Sequence, residues 1–163
     1  MSGGNKLHIY FCADDFGITR SSCDRIAECV NGGCLNKVSV LPNSRLENIE
    51  EKLKALKGAR LSVHLDLVEG RCVGNAEELS LLTDSEGYFK NEFAGLLLCS
   101  VLHKKAFKQQ VKAEIRAQIK RALCIFPFGT PFLLDSHQHT HMIPAVFSTL
   151  CEVIEEDGLD VRY

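Results

Sequence analysis

The chain has 163 residues, 45% of them hydrophobic and 25% charged, with a formal net charge of −2. That length supports one domain with a real core, since a chain of this size hides roughly 70% of its unfolded surface. The balanced charge excludes the basic surface that nucleic-acid binding requires, and no apolar run of about 18 residues is present to span a membrane.

The start, Met1 to Lys6, is small and polar and reads as a flexible tail rather than a secretory signal, so a cytoplasmic protein is expected. Leu7 to Cys12 is predicted as a buried strand, stopped by Asp14, Asp15 and Gly17. Thr19 or Ser21 caps a helix that ends at Asn31-Gly32-Gly33. Lys37 to Leu41 is a second strand, and Pro42-Asn43-Ser44 turns out of it. Apolar residues at 46, 49, 53 and 56 predict a second helix, closed by Gly58. Leu61 to Leu67 is a third strand, with Val63, Leu65 and Leu67 on one face and Ser62, His64 and Asp66 on the other. Val68 to Leu102 reads as a long loop with local helical turns. Phe107 to Cys124 is the clearest helix, with Val111, Ile115, Ile119 and Leu123 spaced by four. A fourth strand begins at Phe132 to Leu134, a helix runs from Pro144 to about Glu156, and Leu159 to Tyr163 is a fifth strand.

Strand and helix alternate throughout, which predicts a single α/β domain over residues 1–163 with a parallel sheet. The last strand has no helix after it. That predicts a fragment of a longer barrel, or a homo-oligomer that covers the open sheet edge. The eight cysteines contain no C-x-x-C pair, and several, such as Cys12, Cys99 and Cys124, are expected as small buried hydrophobes.

Three clusters fall at or just beyond the C-terminal ends of predicted strands: Asp14-Asp15, His64 with Asp66, and Asp135 to His141. Ligands and catalytic groups gather at that edge of parallel sheets and barrels. One carboxylate and two neutral imidazoles would leave positions open on a catalytic metal, with Mg, Mn, Zn and Fe(II) all compatible. His137, His139 and His141, at period two, would point to one side of an extended chain.

These residues resemble a known family. Ala13-Asp14-Asp15-Phe16-Gly17 is similar to the A-D-D-F-G signature of YdjC-like proteins, which include chitooligosaccharide deacetylases. Val63-His64-Leu65-Asp66-Leu67-Val68-Glu69-Gly70 and Asp135-Ser136-His137-Gln138-His139-Thr140-His141 resemble its second and third motifs, in the family's order. The resemblance implies a distorted (β/α) barrel of polysaccharide-deacetylase-like type, incomplete in this chain and truncated at its C-terminus. It implies removal of an acetyl group from N-acetylated sugars or chitooligosaccharides with a divalent metal, Mg first and Zn second. Asp15, His64 and His137 would hold the metal, Asp14 would be the general base, and His139 and His141 would contact substrate or supply a proton. Asp66 departs from the family, where Asn or Thr is commoner. The alternatives are a two-metal phosphoesterase-type hydrolase, with Asp135, His139 and His141 as extra ligands, and a catalytically incompetent sugar-binding fragment.

Overall fold

A computed structural model of the chain describes residues 9–127 and 129–161. It opens with β1 (Cys12–Phe16) and α1 (Arg20–Asn31). The expected strand at residues 7–12 is corrected: pairing begins at Cys12, residues 9–11 are exposed and lie outside the strand, and Leu7 falls outside the described residues. The acids do not end β1; they lie inside it. Ala13 pairs with Val38 and Phe16 with Val40, so Asp14 and Asp15 together oppose one residue, Ser39. This is a bulge, and Asp15 adopts φ 63 within it. Of the two predicted caps, Thr19 is the one used: its hydroxyl accepts from the Ser22 amide at 3.1 Å in a capping box.

Next come β2 (Lys37–Val40), α2 (Ile49–Lys54) and β3 (Arg60–Leu65). The helix expected over 46–56 is shorter because Asn48, at φ 59, breaks the helical path just before Ile49. After β3 the chain folds back through a 3-10 turn at Ala76–Glu78 and antiparallel bridges Arg71–Tyr88 and Thr83–Phe89. It then enters α3 (Phe93–Leu102). The long loop expected over Val68–Leu102 is corrected by this helix. α3 carries no charged residue, so it has no polar face whose period could be read; Leu96 is buried while Leu98, Val101 and Leu102 are exposed.

α4 (Lys104–Ile125) buries Phe107, Val111, Ile115, Ile119 and Ala122 along one stripe. β4 (Leu134–Ser136) leads through a 3-10 segment into α5 (Pro144–Glu156), whose first residue is proline, as helix N-termini favour. The expected fifth strand reduces, among the described residues, to one parallel bridge between Phe132 and Val161; Arg162 and Tyr163 lie outside them.

The four strands are all parallel and lie in chain order, β1-β2-β3-β4. The sheet has two unlike faces. Val38, Val40, Leu61, Val63 and Leu65 join the apolar clusters formed with α1, α2, α4 and α5. Each such side chain contributes about 1.5–3 kcal/mol when fully buried. The alternate residues Lys37, Ser39, Ser62 and His64 form a hydrogen-bonded polar seam that converges on Asp135. All eight cysteines are free. Cys23 and Cys72 are buried, but Cys12 and Cys124 are exposed, against expectation: Cys12 lies on an edge strand and Cys124 away from the buried stripe of α4.

Candidate metal centre

The bulge in β1 decides where its acids go. In a regular strand, neighbouring side chains take opposite faces. Here both reach His64: Asp15 groups with His64 and His137, and Asp14 with His64 and Asp135, the potential ligand atoms of each group lying within 4.8 Å of one another. Gly17 lets the chain leave the bulge. It sits at φ 115, and a Cβ there would stand 2.8 Å from Ser44 Cβ. Ser44 Oγ donates to Gly17 O at 2.7 Å and locks the turn.

His64, on β3, is 5% exposed. Its Nε2 lies 3.2 Å from Asp15 Oδ1, and its Nδ1 lies 2.6 Å from Asp135 Oδ1. Asp135 Oδ2 accepts from Lys37 Nζ at 3.0 Å, Ser39 Oγ at 2.8 Å and Ser62 Oγ at 2.9 Å. Burial alone would raise the Asp135 carboxyl. The hydrogen bonds from His64, Ser39 and Lys37 outweigh it and hold the group well below the usual carboxylate range.

His137 starts the 3-10 segment at the end of β4, 122 residues after Asp15. Its Nδ1 lies 2.7 Å from Asp15 Oδ1 and its Nε2 lies 3.1 Å from Glu69 Oε2. Burial lowers its pKa, but the charges of Asp66 and Asp15 and these two contacts raise it further. The expected extended run of histidines is corrected. Gln138 and His139 take φ 48 and 54, so the chain curls and His139 and His141 leave the line of His137. His141 Nδ1 lies 2.6 Å from Ser136 Oγ, and its ring meets His139 edge-on at 6.2 Å. Among the described residues, no hydrogen bond or ion pair joins His139 or His141 to Asp15, His64 or His137. Burial and the neighbouring His139 lower the His141 pKa.

The loop after β3 is built around Asp66, 1% exposed. Its carboxylate accepts from the Val68 and Glu69 amides at 2.9 and 3.0 Å and from Asn43 Nδ2 at 3.0 Å. Gln118 of α4 pairs with the Asp66 backbone at both N–H and C=O, and donates to Glu114 at 2.7 Å. Glu114, fully buried, accepts from the Val73 and Gly74 amides at 2.9 and 2.8 Å. These contacts set the wall of a cleft of about 280 Å³ beside His137, bordered by Asn43, Arg45, Glu69, Arg71 and Tyr88. The Arg71 guanidinium lies 5.3 Å from the Tyr88 ring centre, and the ring is half-exposed.

Reasoning from sequence assigned no contact to Glu69, Asn43 or Tyr88, and gave Asp135 a role only as an extra ligand in the two-metal alternative. Asp135 and Glu69 lay within quoted motifs, but their partners come from other strands. Glu114 and Gln118 carried a usable signal, a Glu and a Gln on the buried stripe of the clearest helix. The donor set Asp15, His64 and His137 suits a divalent cation: one carboxylate and two imidazoles, close together, beside an open cleft.

Comparison with known proteins places this chain in a family. The chain is 30% identical over 152 residues to the carbohydrate deacetylase of Thermoanaerobacter pseudethanolicus, covering 92% of this chain and 57% of that protein. It is 28% identical to the Danio rerio carbohydrate deacetylase, covering 94% and 48%. It is 25% identical to the chitooligosaccharide deacetylase of Proteus mirabilis, covering 92% and 56%. The chain thus spans about half the length of the curated relatives it matches. A solved structure from Enterococcus faecalis, described as that of a cellobiose-phosphate cleavage protein, shares the fold with a TM-score of 0.73 at 23% identity, over 93% of this chain and 57% of that one. The family model for YdjC-like proteins matches residues 8–163, and the chain belongs to that family.

Proposed function

We propose that this chain carries the metal-binding half of a deacetylase that hydrolyses the acetamido group of N-acetylated sugars, chitooligosaccharides included. The carrying observation is the convergence of Asp15, His64 and His137 from the C-terminal ends of three parallel strands, with Asp14 alongside. The names of the relatives support the sugar substrate. The barrel reading is supported by four parallel strands in chain order, with helices against one face and a polar seam on the other.

Asp15, His64 and His137 would hold the cation, magnesium first and zinc second. When bound, it supplies Lewis acidity toward the acetyl carbonyl and makes water more acidic. Asp14 is exposed and lies beside His64. Its carboxylate takes the proton as water oxygen bonds to the carbonyl carbon. The C–N bond then breaks, acetate leaves, and the amine takes a proton. We assign that proton to the His139–His141 pair, of which His141 is held by Ser136. Asn43, Arg71 and Tyr88 border the cleft where the sugar would lie.

The two-metal phosphoesterase reading loses support because the Asp135 oxygens already meet four donors. The deciding experiment is acetate release from N-acetylated chitooligosaccharides, with and without EDTA and added magnesium or zinc. Release that depends on the cation supports the proposal. Release indifferent to chelation overturns it.

A further inference from the structure

We infer that Asp135 and Glu69 are paired positioning carboxylates that fix opposite tautomers in the two histidines, so that His64 meets a cation through Nε2 and His137 through Nδ1. The inference rests on the metal reading above.

The geometry is a crossed one. His64 turns Nε2 toward Asp15 Oδ1, at 3.2 Å, and Nδ1 toward Asp135, at 2.6 Å. His137 does the reverse, with Nδ1 2.7 Å from the same Asp15 oxygen and Nε2 3.1 Å from Glu69. The rings stand at 75° with centres 5.6 Å apart, so one point can face both inner nitrogens. A neutral imidazole has one N–H and one lone pair, and an ionised carboxylate only accepts. With a cation among the three ligands, both lone pairs must face it. The N–H of each ring is then left to the outer carboxylate.

The two outer carboxylates are held in different ways. Asp135 is pinned by Lys37 and Ser39 of β2 and Ser62 of β3. Glu69 is fixed at its backbone, its amide donating to Asp66 and its carbonyl accepting from Asn43 at 2.9 Å. A carboxylate held behind a ligating histidine sets both its tautomer and its ring orientation, and losing one typically weakens metal binding 10–100-fold.

Side-chain ¹⁵N–¹H spectra of the zinc-loaded protein identify the ligating nitrogen of each ring, and calorimetry measures zinc affinity. The expected result is zinc on Nε2 of His64 and on Nδ1 of His137. Asp135→Asn should disturb only the His64 signals and weaken zinc binding by about 10–100-fold, and Glu69→Gln should disturb only those of His137. Glu69 is exposed, so its variant keeps the test decisive should Asp135→Asn fail to fold. Zinc on the same nitrogen type in both rings, or either variant leaving its own ring unchanged, overturns the inference. A parent protein that binds neither zinc nor magnesium overturns the metal reading, and this inference with it; one that binds magnesium but no zinc overturns this inference alone, since two imidazole lone pairs aimed at one point should accept zinc.

Discussion

Asp14 and Asp15 are neighbours in the chain with different contacts. Asp15 touches both histidines, whereas Asp14 stands beside His64 and Asp135. Asp14→Asn is expected to lower acetate release by about 10²–10⁴-fold, the usual worth of a placed general base, while calorimetry shows metal still bound. Asp15→Asn should lose metal and turnover together. Normal turnover in Asp14→Asn would remove it from the base role. At this scale the grouping of acids and histidines was legible because such clusters at strand ends have few other uses. The crossing of the two rings was not legible. It depends on the rotation of His64 and His137 against Asp135 and Glu69, and no spacing encodes that.

At the scale of elements, the bulge and turn of β1 depend on Gly17. Gly17→Ala places a methyl against Ser44 Cβ in a backbone conformation that side chains resist. It should destabilise the fold by about 1–3 kcal/mol in urea titrations and weaken metal binding through Asp15. Glu114 gives a second prediction. Burial raises its carboxyl above the ordinary value, against the pull of the Val73, Gln118 and Gly74 donors. Such a group contributes stability that is full below the ordinary carboxylate range and is lost as pH rises through its folded value. The deficit of Glu114→Gln relative to the parent should therefore shrink as pH rises above the ordinary carboxylate range. A deficit that is flat or grows would refute this. Elements with a two-sided pattern, such as α4 and α5, could be read ahead of the structure. α3 could not, since ten residues without a charge give no period, and β1 could not, since its acids sit in a bulge that looks like the end of a strand.

For the molecule as a whole, a cation that binds only the folded chain should stabilise it. At a free concentration of 100 times Kd the gain is about 2.7 kcal/mol, which for a chain of this size raises Tm by roughly 5–10 °C. Thermal melts with zinc or magnesium should show that rise, EDTA should reverse it, and His137→Ala should abolish it. A parent protein whose Tm ignores both cation and chelator would count against the centre. The parallel α/β architecture was legible because helix and strand periods alternate along most of the chain. The two faces of β3 were legible in its alternation; burial of the polar face was hidden, since burying Ser39, Ser62 and His64 needs Asp135 to gather them.

Strands stacked in the order of synthesis have a temporal corollary. Each new strand docks on the one made just before it, so a nascent chain can lay down β1, β2 and β3 in turn. His137 emerges long after Asp15 and His64, so the proposed cation site is complete only when the fourth strand docks. Under that proposal metal capture would report that β1 through β4 have docked, and a ribosome-stalled chain lacking β4 should leave the ion in solution.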